Sequence, residues 1–357
     1  MGRLVSRAGL QPGSVGAVVI GCESQVGAQA GNIARRAVLA AGWPDNVPGL
    51  TVECHAASSA QAANWAAGAV LSGAAELVVA GGVEVMSAVP LGASLAQPVL
   101  GKPIGRRLAE RYPGGEGLPP PGLAAEEVAR HWKLRREDLD AWAFGSFRKA
   151  IASSSGQPSL MALGSPPGLD APAGALLKRD ENIARPPTLA ALRRLVPAYV
   201  PNGVVTAGNM AREGDGASGV VVASGAVVNR MAVAPKARFV SFAAAGGAPA
   251  LWPVTTVPAA RLALKRARLR RDAIDWWYVD ESSAAAVLAW AVEMGVELER
   301  VNPDGGSLAT TSPLGAVGAG LLAMAAAGIA SGRGSRALVC VAGEGGLAAA
   351  CVLESAS

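Results

Sequence analysis

The chain has 357 residues, 51% of them apolar, and a formal net charge of +5 at pH 7. That length holds one large core or two to three domains, and its low charge and lack of a long polar tract exclude an extensively disordered chain. The basic excess has no recognition motif or interleaved aromatics, which argues against nucleic acid. The four cysteines (Cys22, Cys54, Cys340, Cys351) and two histidines (His55, His131) have no zinc-ligand spacing.

Along the chain, no signal peptide opens the sequence, and the cysteine pattern predicts reduced thiols in a cytoplasmic setting. Val15–Gly21 (VGAVVIG) predicts a buried strand, and residues 32–41 an amphipathic helix. A Pro48-Gly49 turn precedes TVECHAASSAQ at 51–61, which leads into a helix of small residues. Residues 76–87 (ELVVAGGVEVMS) read as a buried strand ending in a glycine turn. A Pro/Gly-rich zone covers 93–207, with spacers at 113–122 and 165–174 around a helical stretch at 124–153 that restarts at Leu134–Leu139. The basic run at 261–271 has apolar positions every three or four residues and predicts a helix with one solvated face; attraction to coenzyme A phosphates is the sharper alternative. Residues 314–331 are long enough to span a membrane, but their Gly and Ala content favours a buried helix. A closing hairpin is expected from 339–346 and 348–353. Alternation of this kind argues for an α/β protein.

Several segments in order resemble the thiolase family. Thr51, Val52, Ser58 and Gln61 match its nucleophile segment, and AGGVEVMS the strand that follows. Gln25-Val26-Gly27 with Asn32–Arg35, then Gly122–Ala129 with Asp140, Ala143 and Ser146, resemble its first glycine turn and its loop-domain pattern. Gly203–Asn209 with Asp215–Ala217, then Asn302, Gly305-Gly306 and Pro313–Gly318, and finally Cys340–Gly346, track its remaining motifs. The resemblance implies a thiolase fold: two similar α/β halves in a five-layer αβαβα arrangement with an inserted loop domain. The halves would be residues 1–92 with 208–230, and 231–357, around a loop domain at 93–207. The family's first strand has no counterpart here; read as a central strand, its loss would leave a neighbour with unpaired backbone.

The resemblance also locates the chemistry. The nucleophile position falls on Ala56, the activating histidine on Ser312, the oxyanion-hole asparagine on Asp280, and the second cysteine, a base, on Cys340. A methyl group cannot attack a thioester, and a carboxylate at 280 would repel an enolate unless protonated. Cys54, two residues before Ala56, would share its face on an extended segment and is a candidate surrogate. The helix starting near Ala57 would aim free N–H groups into a pocket shared by Ala56, Asp280, Ser312 and Cys340. Gly208, Asn209 and Ala211 occupy the coenzyme-contacting turn. The implied ligand is coenzyme A or an acyl-CoA, with no permanently bound cofactor and no metal, and the implied assembly a homodimer, homotetramer or heteromer.

Three readings stay open. One is an acyl-thioester binder or silent partner without thiolysis. Another is a divergent acyl-CoA enzyme using Cys54, Ser58, Ser312 or Cys340, or enolate chemistry that needs no nucleophile. The last is a structural protein without a ligand.

Overall fold

The computed structural model describes residues 1–96, 101, 103–112, 119–154, 163–164, 176–177 and 180–356. Spacer 165–174 and most of spacer 113–122 lie outside the described residues.

In chain order, α1 (Gly2–Arg7), β1 (Ala17–Gly21), α2 (Ile33–Ala40), β2 (Gly49–Val52), α3 (Ser58–Leu71) and β3 (Leu77–Glu84) come first. Then follow α4 (Arg106–Arg111), α5 (Pro121–His131), α6 (Arg136–Ser154), a short ribbon β4 (Leu163–Gly164) and β5 (Leu176–Leu177), and α7 (Leu189–Arg193). The chain continues through β6 (Gly216–Ala223), α8 (Gly225–Met231), β7 (Arg238–Gly246), α9 (Thr256–Ala267), β8 (Trp276–Val279) and α10 (Ala284–Met294). It ends with α11 (Val317–Ala330), β9 (Arg336–Gly343) and β10 (Leu347–Glu354). Side-chain caps fix several helix starts: the side chains of Asn32, Thr188, Ser224 and Ser283 each accept from a backbone N–H in the first turn. Thr51 Oγ1 also donates to Asn32 Oδ1, which joins the start of α2 to β2.

The strands form two four-stranded sheets, ordered β2-β1-β3-β6 and β7-β10-β9-β8. In the first, β1 is parallel to both β2 and β3, and β6 is antiparallel to β3. In the second, β8 is parallel to β9, and β10 is antiparallel to β9 and β7. Strands β3 and β9 are buried almost end to end, as sheets covered on both faces require. Helices α3 and α11 lie between the sheets and share one apolar cluster with both. Outside, α2 and α8 cover the first sheet, and α9 and α10 the second. The result is five layers, α-β-α-β-α. Close approach in the middle layer requires glycine: a Cβ on Gly318 would come within 2.5 Å of the Ala60 nitrogen, and one on Gly82 would collide with the Gly315 carbonyl.

The two halves match strand for strand. An antiparallel strand flanks the central one in each (β6 on β3, β10 on β9), with β1 and β8 on the other side. Val301 bridges Trp277 in parallel, where β2 flanks β1. The counterpart of β7 would lie beyond β6, at the sheet edge, where the described residues place no strand. This corrects the expected central gap: β1 pairs directly with β3, and the sheet is continuous. The basic run is α9 and its exit, where Arg261 and Arg266 donate to the Glu293 and Phe242 carbonyls and Arg270 and Arg271 pair with Asp272. No helix among the described residues is long and apolar enough to cross a membrane.

At the end of β3 the buried Glu84 carboxylate gathers the surrounding loops. It accepts from Glu23 N (2.9 Å), Ser24 N (3.1 Å), Gln29 Nε2 (2.7 Å) and Gly315 N (3.2 Å). Replacing Glu84 with Ala would remove the acceptor of three backbone N–H groups, two of them buried, and of one Gln29 amide hydrogen. The expected loss is ~3–5 kcal/mol of stability, with a smaller loss for Glu84→Gln, read from chemical denaturation midpoints.

Candidate active site

The residues singled out by sequence come from four loops at the ends of the two sheets and, for Cys340, from strand β9. The first loop, Glu53–Ala57, leads from β2 into α3. It is a turn, not an extended segment: His55 has φ +51°, Ala57 N donates to Cys54 O, and Ser58 N to His55 O. One expectation fails here. The two-residue alternation that put Cys54 and Ala56 on one face does not run through a left-handed residue. At the start of α3, the N–H groups of Ala57 and Ser58 are spent on the loop's own carbonyls. Ala56 is nonetheless buried in the cluster between the sheets, with Cys54 packed partly buried against it.

Asp280 follows β8, its N–H donating to the Cys340 carbonyl (3.0 Å) beside the Val279–Cys340 rung. The structure thus brings Asp280 and Cys340 together. Cys340 itself lies inside β9, on the face of the strand that joins the cluster of Trp277 and Trp290. The next residue on that face, Ala342, is the one that meets Ala124 of α5 and Trp252. Gly343 then touches the first loop: a Cβ there would lie 2.5 Å from Cys54 O and 3.3 Å from His55 Cβ. It is Gly343, and not Cys340, that meets the Ala56 loop, a distinction of strand register that the motif match does not carry.

Ser312 is buried, and its N–H donates to Arg212 O (2.7 Å). One residue back, Ala211 N donates to Ser282 O (3.1 Å), and Asn209 O accepts from Ala284 N (2.9 Å). The Thr206–Arg212 turn therefore bridges the Ser312 loop to the start of α10, next to Asp280. Asn209 is fully buried, with Nδ2 committed to Asp140 and the Val204 carbonyl and Oδ1 to Thr206 N. Both its donors are spent within the protein, so it positions the turn. Gly208 packs against Leu192 and Leu195, and Ala211 is half-buried.

Sequence reasoning passed over the groups that hold this frame. Glu281 accepts from Ser146 Oγ (2.7 Å), Asn302 Nδ2 (2.9 Å) and Leu308 N (3.3 Å). Asn302 also bonds both backbone groups of Val279, extending the β8 pairing. Glu84 does the same work in the first half. Glu84 lies in a segment read as a strand and Glu281 in one read for its family likeness, and neither was given a role; the available signal was a charged residue ending an apolar strand run.

The electrostatics set what the site can do. Burial and Glu281 push the Asp280 carboxyl up to about 7, and neither oxygen has a hydrogen-bond partner. Burial, with Asp280 and Cys351 adding, raises the Cys340 thiol far above its ordinary range. Burial and then Glu53 raise Cys54. Neither thiol is poised as a thiolate near neutral pH. Beside Ala56, the His55 Nδ1 lies 3.6 Å from Glu23 and 3.9 Å from Glu53. Burial disfavours the imidazolium, but Glu23, with Glu53 and Glu344, outweighs it and raises His55. Burial also raises Glu23, against the pull of His55. No group of three or more His, Cys, Asp or Glu side chains among the described residues has the geometry of a metal site.

A five-layered α/β protein of two like halves, with a buried polar site where their loops meet, defines the class. The chain belongs to the thiolase family: its N-terminal domain model matches residues 1–226 and its C-terminal domain model residues 233–355. Similar proteins include a beta-ketoadipyl-CoA thiolase of Pseudomonas aeruginosa, 35% identical over 93% of this chain and 86% of that protein. A steroid 3-ketoacyl-CoA thiolase of Mycobacterium tuberculosis is 32% identical over 89% of this chain and 77% of its own length. An acetyl-CoA acetyltransferase of Pseudomonas aeruginosa is 32% identical over 90% and 82%.

Two measurements check the electrostatics. Asp280 binds its proton more tightly folded than unfolded, so its contribution is fully present below the unfolded value near 3.8 and lost as pH rises to about 7. Asp280→Asn is therefore expected to leave denaturation midpoints unchanged at pH 4 and to gain on the order of a few kcal/mol at pH 8. In an NMR titration of the imidazole Cε1–H signals, Glu23→Gln is expected to lower the His55 midpoint, since it removes the nearest carboxylate.

Proposed function

We propose that this chain binds acyl-CoA, or another acyl thioester, and does not carry out the covalent acyl transfer of ordinary thiolases. The observation that carries the reading is Ala56, on the turn where the family's nucleophile belongs. Ser312 supports it, since a hydroxyl does not titrate near neutral pH as an imidazole does. The raised thiols support it as well, because neither Cys54 nor Cys340 supplies a replacement thiolate. Loss of even one member of a nucleophile–base set removes several powers of ten in rate. The names of the relatives, beta-ketoadipyl-CoA and steroid 3-ketoacyl-CoA thiolases, support coenzyme A thioesters as the ligand class. Residues 93–207 serve in this reading as the loop domain that covers the ligand, and a homodimer or homotetramer is the assembly. The second reading, a divergent acyl-CoA enzyme, is favoured by one observation, the partnerless carboxyl of Asp280.

The test is calorimetric binding of acyl-CoA together with thiolysis of acetoacetyl-CoA. Binding without turnover is expected. Ala56→Cys alone is expected to stay inactive, and recovery to need Ser312→His and Asp280→Asn as well. Thiolysis by the unmodified chain that disappears in Cys54→Ala would overturn the reading.

A further inference from the structure

Five carboxylates are buried among the described residues: Glu84, Asp140, Asp280, Glu281 and Asp304. Four are fully engaged. Glu84 and Glu281 accept from the loops around them. Asp140 is held by Arg136 and Asn209, and Asp304 by Arg333 and Tyr278. Asp280 differs: it is 3% exposed, and both side-chain oxygens lack a partner. An unpartnered acid in a dry interior costs several kcal/mol, and this one lies beside Cys340 and next to the Thr206–Arg212 turn that holds the Ser312 loop. Its backbone is fixed on both sides, by the Cys340 carbonyl and by the Ala211 bond to Ser282. The side chain is thus a rigidly presented acid with its bonding capacity unspent.

We propose that Asp280 is the acid–base group of this site and exchanges the α-proton of a bound acyl-CoA thioester. The proposal rests on the reading that the site takes such a thioester. In the forward step a carboxylate oxygen takes the proton from the α-carbon. The C–H electron pair forms the enolate double bond, and the thioester oxygen gains the charge. In the reverse step the carboxylic acid returns a proton to the α-carbon. No bond to sulfur breaks and nothing is oxidised or reduced, so the step needs neither a nucleophile at 56 nor a thiolate. The acid form left after the first transfer is neutral, so the charge on the thioester oxygen does not face a second anion. The titratable groups that bear on Asp280 are Glu281, next in the chain, and the Cys340 thiol across the rung; Lys149 bears on Glu281. A general base held near neutrality suits this transfer.

The experiment is loss of the α-CH2 proton signal of butyryl-CoA in D2O by NMR, with butyryl-CoA binding measured separately by calorimetry. The unmodified protein is expected to accelerate exchange at least ~100-fold over buffer, with a rate that rises with pH and levels off above about 7. Asp280→Asn is expected to keep affinity within about threefold and to lose at least ~100-fold in exchange. The same variant's denaturation midpoint separates this loss from misfolding. Binding with no exchange by the unmodified protein would overturn the proposal and leave the thioester reading standing. Absence of binding would overturn both. Exchange kept in Asp280→Asn but lost in Cys340→Ser would move the role to the thiol and overturn the assignment.

Discussion

A buried carboxylate at the end of a central strand is the constraint on which the rest of this molecule depends. Glu84 gathers N–H groups from the turn after β1, from Gln29 and from the loop before α11. Those segments belong to different halves of the chain, and the farthest, at Gly315, lies 231 positions from Glu84 in sequence. A charged acceptor serving several N–H donors is strong because its desolvation cost is repaid only when all of them are in place. The arrangement is therefore close to all-or-none. It sets the height of the Ser312 loop over the first sheet, and with it the distance between that loop and the turn carrying Ala56. Glu281 repeats the device in the second half, where Ser146, Asn302 and the Leu308 backbone converge.

The site inherits its polarity from these anchors. Because Glu281 turns toward Asn302 and Ser146, its neighbour Asp280 is left with the apolar side of the same strand end. Adjacent residues at a strand end face opposite ways, and here one is saturated with donors and the other has none. The contrast in their surroundings follows from that alternation, with no special loop needed to create it. In the Glu53–Ala57 loop, three glutamates raise the proton affinity of His55 against the effect of burial. Protonation there and at Asp280 responds to different neighbours.

Much of the frame was legible in the sequence. The apolar runs VGAVVIG and LVVAGGVE, and the hairpin made by β9 and β10, gave strands because an unbroken apolar run suits a sheet covered on both faces. The order of weak motifs identified the family because each marks a loop that the fold must place at the same end. Three things resisted. His55 adopts a positive φ, which its residue type does not announce, so the face argument for Cys54 failed. Cys340 matches a motif letter, but register against Val279 decides its depth in the sheet. The solitude of Asp280 depends on where its neighbours spend their donors, and that is a property of the packed molecule. The expected central gap was wrong for a related reason: sheet order is a tertiary fact, and only the pairing of β1 with β3 shows that no gap lies between them.

The middle layer has a consequence of another kind. Most of the inward positions of α3 are alanine or serine, and α11 meets it through glycine and alanine. Alanine and glycine have no rotamers to freeze, so joining the halves sacrifices almost no side-chain entropy. The same economy removes any give. A seam of long side chains can absorb an added methyl group by turning a torsion, whereas a seam of backbone against backbone must move whole helices. Sequence drift in this protein should therefore be tolerated least where its side chains are smallest.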